Sequence, residues 1–374
     1  MSISFVITHT HRRARAGRLE LPGGRIVETP VFMPVGTQAT VKTLETRDLE
    51  ALGVAMMLCN AYHLYLRPGQ QIVRDAGGLH GFMDWKGGVI TDSGGFQVFS
   101  MSELRKVKAE GVEFISHLDG SRHLFTPESN MQLQHDLGAD ICMALDECVA
   151  YPSPREEVQE SVERTTAWAK RCLEAHGRLG GPQALFAIVQ GGVYHEARIQ
   201  SARELTALDF PGYAIGGLSV GEGPILMNEI LELLDPLLPE AKPRYLMGVG
   251  TPEDLWEGVA RGVDMFDCAM PTRIARNGTL YTSRGRLQIK NAAYARDFSA
   301  PDPDCSCPLC NRHSRAYLRH LFKTREISAL RLSTLHNLTF MLNLSRFIRE
   351  AIRNGQFEQS REAFMRRYQS GEMP

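Results

Sequence analysis

The chain has 374 residues, of which 43% are hydrophobic and 23% charged, with a formal net charge of -1 at pH 7. That suffices for one barrel of about 250 residues with additions, or for two smaller domains. The opening MSISFVITHTHRRARAG has no apolar stretch of signal-peptide length, and no run of about 18 apolar residues follows. A soluble, cytoplasmic protein without membrane contact is therefore expected.

The near-zero charge conceals an asymmetry. Residues 1–267 carry 24 Lys and Arg against 35 Asp and Glu, whereas residues 268–349 carry 14 against four, a net of +10. A basic segment on an otherwise acidic chain suits a polyanion held on one face; an ordinary solvated face is the plainer alternative. Eight cysteines do not make a disulfide scaffold at this length, and three of them crowd together at Cys305, Cys307 and Cys310. One local metal site in a reducing compartment is the simpler account.

In chain order, eight apolar segments each close on a glycine or a polar cluster: VFMPVG (31–36), VAMMLCN (54–60), GVITDSGG (88–95), ICMALDE (141–147), ALFAIVQGG (184–192), YAIGGLS (213–219), YLMGVG (245–250) and MFDCAMP (265–271). Most are continuous rather than alternating, as in strands covered on both faces. Helix starts are expected at Thr126-Pro127, with an end at Gly138, at Ser153-Pro154 and at Thr251-Pro252. In each a hydroxyl caps and proline takes the first turn; Glu156 and Asp254 complete capping boxes in the last two.

The pattern predicts an α/β fold, a (β/α)8 TIM barrel with an inserted zinc-binding subdomain. A doubly wound sheet also alternates strand and helix, but no GxGxxG follows a first strand. Residues 1–274 are read as the barrel strands with an N-terminal extension and an insertion after strand three (96–125) that holds short extended pieces. Residues 275–335 are read as a basic zinc-binding insertion of little apolar content. Residues 336–374 are read as a helical segment, with Leu338, Leu342 and Leu344 apolar, that closes the barrel and brings His336 to the metal.

In a barrel the strand ends gather at one mouth. Here they carry Asp92, Asp146, Gln190, Gly217, Leu218 and Asp267. Carboxylates accept from ring N–H and amino groups, and an amide or backbone N–H donates to a ring carbonyl, a set that suits the edge of a base such as guanine. Phe96 and Met247 offer apolar faces for a flat ring. Each residue has a bland alternative, an Asp capping the next helix or Met247 filling the core. The glycine-rich DSGGF, QGG and GGLSVGE also allow phosphate cradles. More than one carboxylate permits attack at a glycosidic carbon by one and proton transfer by another. Cys305, Cys307 and Cys310, followed after 25 residues by His336, form a tetrahedral set with no open position, hence a structural zinc.

The stretches TDSGGFQVFS, HLDGSRHLFTPE, ALDEC, IVQGG, GGLSVGE, YLMGVG, FDCAMPTRIARNG and CSCPLC with His336 closely resemble the bacterial tRNA-guanine transglycosylase (queuine tRNA-ribosyltransferase) family. The resemblance covers nearly the whole chain. It implies a pentosyltransferase that exchanges the wobble guanine of tRNA-Asp, -Asn, -His and -Tyr, those with GUN anticodons, for the queuine precursor preQ1, 7-aminomethyl-7-deazaguanine. It implies Asp267 as nucleophile, through a covalent ribosyl ester, and Asp92 as general acid/base. Asp92, Phe96, Asp146, Gln190, Gly217, Leu218 and Met247 would hold the base, and Cys148 and Val220 follow the bacterial, preQ1-using pattern. One structural Zn2+ per subunit on Cys305, Cys307, Cys310 and His336, and a homodimer, are further implications. Arg273, Arg276, Arg284 and Arg286 are candidates for contacting the anticodon loop. Two rival classes, an RNA-binding module without catalysis and a metabolic barrel enzyme acting on small substrates, predict no base exchange.

Overall fold

A computed structural model describes residues 3–100 and 105–369 of the chain. Positions 101–104 of the expected insertion and 370–374 of the C-terminal segment lie outside the described residues. Eight parallel strands, Val31–Pro34, Met56–Cys59, Gly88–Thr91, Ile141–Met143, Ala184–Val189, Gly212–Ile215, Arg244–Leu246 and Met265–Cys268, are each built from one of the eight apolar segments. They pair in the order one, eight, seven, six, five, four, three, two. A parallel bridge between Val35 and Leu58 joins strands one and two and closes the ring.

The strands read as unbroken apolar runs because both faces are covered. Val31, Met33, Met56, Leu58, Ile90, Phe186 and Met265 belong to one buried cluster that fills the barrel. Their neighbours Phe32, Met57, Val89, Leu185 and Phe266 join a second, which packs on the helices through Trp168 and Trp256. Successive side chains of a strand point to opposite faces, so a strand buried on both shows no polar alternation.

An antiparallel sheet of Ser4–His11, Ala14–Glu20 and Ile26–Thr29 precedes the barrel, an element absent from the sequence expectation. Its Leu19, Leu21 and Val27 extend the barrel cluster, stopping the end from which the strands start. Ion pairs fasten it there. Arg15 gives Asp264 two hydrogen bonds, of 2.8 and 2.5 Å, and Arg25 pairs with Asp140 at 2.8 Å. Asp264 and Asp140 immediately precede strands eight and four.

Beyond strand three, Arg105–Val107, Val112–Ile115 and Arg122–Phe125 form a small antiparallel sheet, as the extended pieces there suggest. The expected caps hold at two of three helices. Thr126 accepts from the Ser129 N–H, and Thr251 from the Asp254 N–H with Asp254 reciprocating. Ser153 does not cap: its hydroxyl donates to the Ala150 carbonyl, closing a local turn, and the helix starts one residue later, at Arg155, behind Pro154.

The zinc-binding insertion departs from expectation in having a core of its own. The hairpin Thr279–Thr282/Gly285–Gln288 and the helices Pro308–Arg312 and Arg315–Lys323 bury Leu280, Leu287, Ile289, Leu309, Leu318, Leu321 and Phe322 together. These residues are spread among arginines in the sequence, and only folding collects them. A single helix, Ile327–Arg353, runs through position 336. Its N-terminal part carries His336, and from Leu338 onward it buries Leu338, Leu342 and Leu344, packing alongside strand one.

Arg15 is 4% exposed and Asp264 0%, so their pair is effectively out of water. Removing Arg15 leaves the Asp264 carboxylate buried without its paired guanidinium, held only by the Arg244 N–H and the more distant Arg244 charge. Arg15→Met should lower the unfolding free energy by about 3–5 kcal/mol in a denaturant titration; a change under about 1 kcal/mol would show that the pair does not secure the sheet.

Candidate functional site

The C-terminal ends of the strands carry the polar residues singled out in the sequence. Asp92 follows strand three, and both its oxygens are already held. The Asn60 amide donates to Oδ2, and the Ala61 N–H, at the start of helix Ala61–Leu66, donates to Oδ1 at 2.8 Å. Burial pushes its pKa up to about 6, hydrogen bonds from Asn60, Ala61 and Gln97 pull against that, and the charge of Asp267 adds to the rise. Asp267 therefore lies within electrostatic reach although 175 residues separate the two in sequence (267 minus 92).

Asp146 and Gln190, from the ends of strands four and five, meet directly. Gln190 Nε2 donates to Asp146 Oδ2 at 2.7 Å, and the Ser93 hydroxyl to Oδ1 at 2.7 Å. Burial raises the Asp146 pKa against these two donors. Gln190 Oε1 is buried without a hydrogen-bond partner among the described residues. Gly217, after strand six, lies against that oxygen: a Cβ there would stand 2.4 Å from it, and the backbone has φ +65°. Only glycine meets both demands. Gly95 makes similar room beside Asp146, whose Oδ1 would be 2.9 Å from an added Cβ.

Asp267 lies on strand eight, paired with Met33 of strand one. The Tyr245 hydroxyl donates to its Oδ1 at 2.5 Å and the Gly248 N–H to the same oxygen at 2.7 Å. Oδ2 accepts no hydrogen bond among the described residues. Burial raises the pKa of this carboxyl, and the two donors hold it down. One oxygen is thus fixed and the other is left open.

Phe96 is 55% exposed on the short helix Gly95–Ser100, Met247 is half-buried after strand seven, and Leu218 is buried. Arg273 and Arg276 lie on helix Met270–Arg276, directly after strand eight; Arg273 is exposed, whereas Arg276 donates to the Thr272 carbonyl at 2.8 Å. Arg284 sits in the hairpin turn, and Arg286 stands over the Tyr281 ring at 5.8 Å. Much of the basic segment is bound within the fold. Arg315 pairs with Asp297 and Arg331 with Asp48, while Arg346 and Arg349 donate to the carbonyls of Leu52 and Pro30.

Asn60, Ser93, Tyr245 and Gly248 are the partners that sequence reasoning missed. All four fall inside the strand-end segments, but a hydrogen-bond donor to a distant carboxylate has no sequence spacing to reveal it.

The metal ligands converge. The Sγ atoms of Cys305, Cys307 and Cys310 lie 3.6, 3.4 and 3.3 Å from His336 Nδ1, and the four ligand atoms are all within 4.8 Å of one another. A tetrahedron with Zn–S of about 2.3 Å and Zn–N of about 2.0 Å has S···N edges of about 3.5 Å. His336 Nε2 donates to the Tyr281 carbonyl at 2.7 Å, which leaves the Nδ1 lone pair for the metal. This is the geometry of a structural zinc site, closed to water by its fourth ligand. Next along the helix, Asn337 donates to the Pro271 and Thr279 carbonyls and accepts from the Tyr281 N–H.

Residues 10–370 match the family model described as queuine tRNA-ribosyltransferase. The chain is 58% identical over 371 residues to the queuine tRNA-ribosyltransferase of Pelotomaculum thermopropionicum, covering 99% of this chain and 100% of that one. It is 57% identical over 374 residues to that of Moorella thermoacetica, with 100% of each covered. With Halothermothrix orenii the identity is 57% over 370 residues, 98% of each chain. No helix of the described residues is long and apolar enough to cross a membrane.

Cys307→Ser should cost the protein its zinc and loosen the hairpin that His336 anchors. Metal analysis of the purified variant checks this, and a full complement of zinc would contradict the ligand assignment.

Proposed function

Because the chain belongs to the queuine tRNA-ribosyltransferase family, we propose that this pentosyltransferase exchanges the wobble guanine of GUN-anticodon tRNAs for 7-aminomethyl-7-deazaguanine by double displacement. The observation that carries the chemistry is the one-sided binding of Asp267. Two donors hold Oδ1, and Oδ2 is left as the nucleophile.

In the first half, Asp267 Oδ2 attacks C1′ of the guanosine. The C1′–N9 bond breaks, its electron pair passes to the base, and Asp92 in its protonated form supplies the N9 proton. A ribosyl ester on Asp267 and free guanine result. In the second half Asp92, now a carboxylate, takes the corresponding ring proton of the incoming base; the nitrogen attacks C1′ and the ester bond breaks. Two inversions retain configuration. A pKa of about 6 suits a group that must both give and take a proton near neutrality.

For Asp146 and Gln190 to read the base, their mutual hydrogen bond must open. Asp146 then accepts from the ring N–H and amino group, and the Gln190 amide and the Gly217 N–H donate to the ring carbonyl. The Leu218 carbonyl receives the aminomethyl group, and Phe96 and Met247 face the ring. Exposed Arg273 with Arg276, Arg284 and Arg286 would grip the anticodon loop, in a homodimer as the family resemblance implies. Zinc at Cys305, Cys307, Cys310 and His336 holds the basic unit in shape and takes no part in the transfer.

Asp267→Asn should abolish incorporation of labelled guanine into unmodified tRNA together with the covalent RNA adduct on a denaturing gel; an adduct surviving in that variant refutes the assignment. The pH profile tests Asp92. Its raised pKa, about 6 in the free protein and lower once Asp267 is a neutral ester, means that the proton-accepting carboxylate is lost as pH falls below about 6, so kcat/KM for the incoming base should drop by up to about tenfold between the neutral plateau and pH 5. Asp92→Asn should exchange very slowly and without that inflection; a retained inflection assigns it to another group.

A further inference from the structure

Beneath the ends of strands five and six lies a buried cation that forms no ion pair among the described residues. Arg198, in the first turn of helix His195–Thr206, is 0% exposed. Its guanidinium reaches three backbone carbonyls: Nε donates to Gly192 at 2.8 Å, Nη1 to Val189 at 2.8 Å and Nη2 to Gly217 at 3.3 Å. Cys148 and Glu222 are the acidic groups whose fields reach it. Burial pushes the Cys148 thiol up to about 12, so it is neutral at pH 7. The Glu222 carboxylate is occupied by the N–H groups of Ser219 and Val220. Burial draws Arg198 down only to about 10, which leaves it charged at neutral pH.

A buried cation satisfied only by carbonyls is costly, and an apolar side chain of similar volume would fill the space without that cost. What Arg198 touches explains its presence. Val189 directly precedes Gln190, and Gly217 lies against the Gln190 amide, so the guanidinium ties together the loops that follow strands five and six. Those loops carry the groups assigned above to the ring carbonyl. When the C1′–N9 bond breaks, the electron pair that moves onto the base spreads toward this carbonyl until a proton arrives. In a site closed to water, a fixed positive charge nearby lowers the energy of that anion far more than it would in solvent.

We propose that Arg198 is a positioning residue for the exchange: it sets the register of the Gln190 and Gly217 loops, and its charge favours the anionic form of the base. This rests on the base-exchange reading given above.

The test compares the unaltered protein with Arg198→Met and Arg198→Lys, using unmodified tRNA and either guanine or 8-azaguanine, whose ring N–H is more acidic. In Arg198→Met, kcat/KM for guanine as the incoming base, which reads the second displacement alone, should fall about 100-fold, with KM for tRNA changed less than about threefold. The loss with 8-azaguanine should be about tenfold smaller, because that anion needs less stabilisation. Arg198→Lys should recover most of the rate near neutrality and then lose it above about pH 8, where a buried ammonium sheds its proton while the unaltered protein does not. Equal losses with both bases, or a lysine variant with the parent's pH profile, would overturn the proposal. Should the methionine variant fail to fold, the lysine profile decides alone. Absence of guanine exchange by the unaltered protein would remove the base-exchange reading and this inference with it, whereas normal exchange with unresponsive variants removes only the inference.

Discussion

Closing eight parallel strands into a ring forces every strand to end on the same side, and most of what is notable in this molecule follows from that. Asp92, Asp146 and Asp267 come from strands three, four and eight, yet they share one end of the barrel. Each carboxyl is 5 or 6% exposed, and burial is the largest influence on all three. Desolvation opposes their charges. The way each is compensated separates them: Asn60 and Ala61 clasp both oxygens of Asp92, Ser93 and Gln190 divide those of Asp146, and Tyr245 and Gly248 take only one of Asp267. Three like side chains thereby differ in which of their oxygens are held and by what donors.

The ends of the barrel divide the work. The N-terminal sheet, with Arg15 on Asp264 and Arg25 on Asp140, stops the end from which the strands start and leaves the other end uncovered by it. The zinc unit is joined to the mouth rather than to the bottom. His336 and Asn337, neighbours on one helix, fix the metal and the Pro271, Thr279 and Tyr281 backbone just beyond the strand that carries Asp267. The metal thus gives shape to the segment richest in arginine, while that segment's own apolar cluster supplies ordinary packing.

Legibility in the sequence followed the range of the interactions concerned. Thr126 and Thr251 cap as expected because a cap is decided within four residues. Ser153 misled because Ala150, equally close, offers its hydroxyl a competing acceptor. The N-terminal sheet escaped notice since its first strand alternates only weakly between exposed and half-buried positions. The core of the zinc unit was missed because Leu280, Leu309 and Phe322 are isolated among polar residues until the hairpin and helices meet. Family resemblance pointed to the residues now found at the mouth, but Asn60, Tyr245 and Arg198 carry no sign in the sequence of the groups they hold.

By itself the sequence determined the eight strands, the ring they form, the Cys3His ligand set and the family, since continuous apolar runs, close cysteine spacing and long matching stretches are properties of order along the chain. Tertiary structure alone decided which oxygen of Asp267 is free, that Gln190 is paired with Asp146, which arginines of the basic segment are bound within the fold, and that Arg198 is buried against carbonyls. Those are questions of distance and desolvation between residues far apart in sequence. They have no answer until packing removes the water and brings the partners within reach.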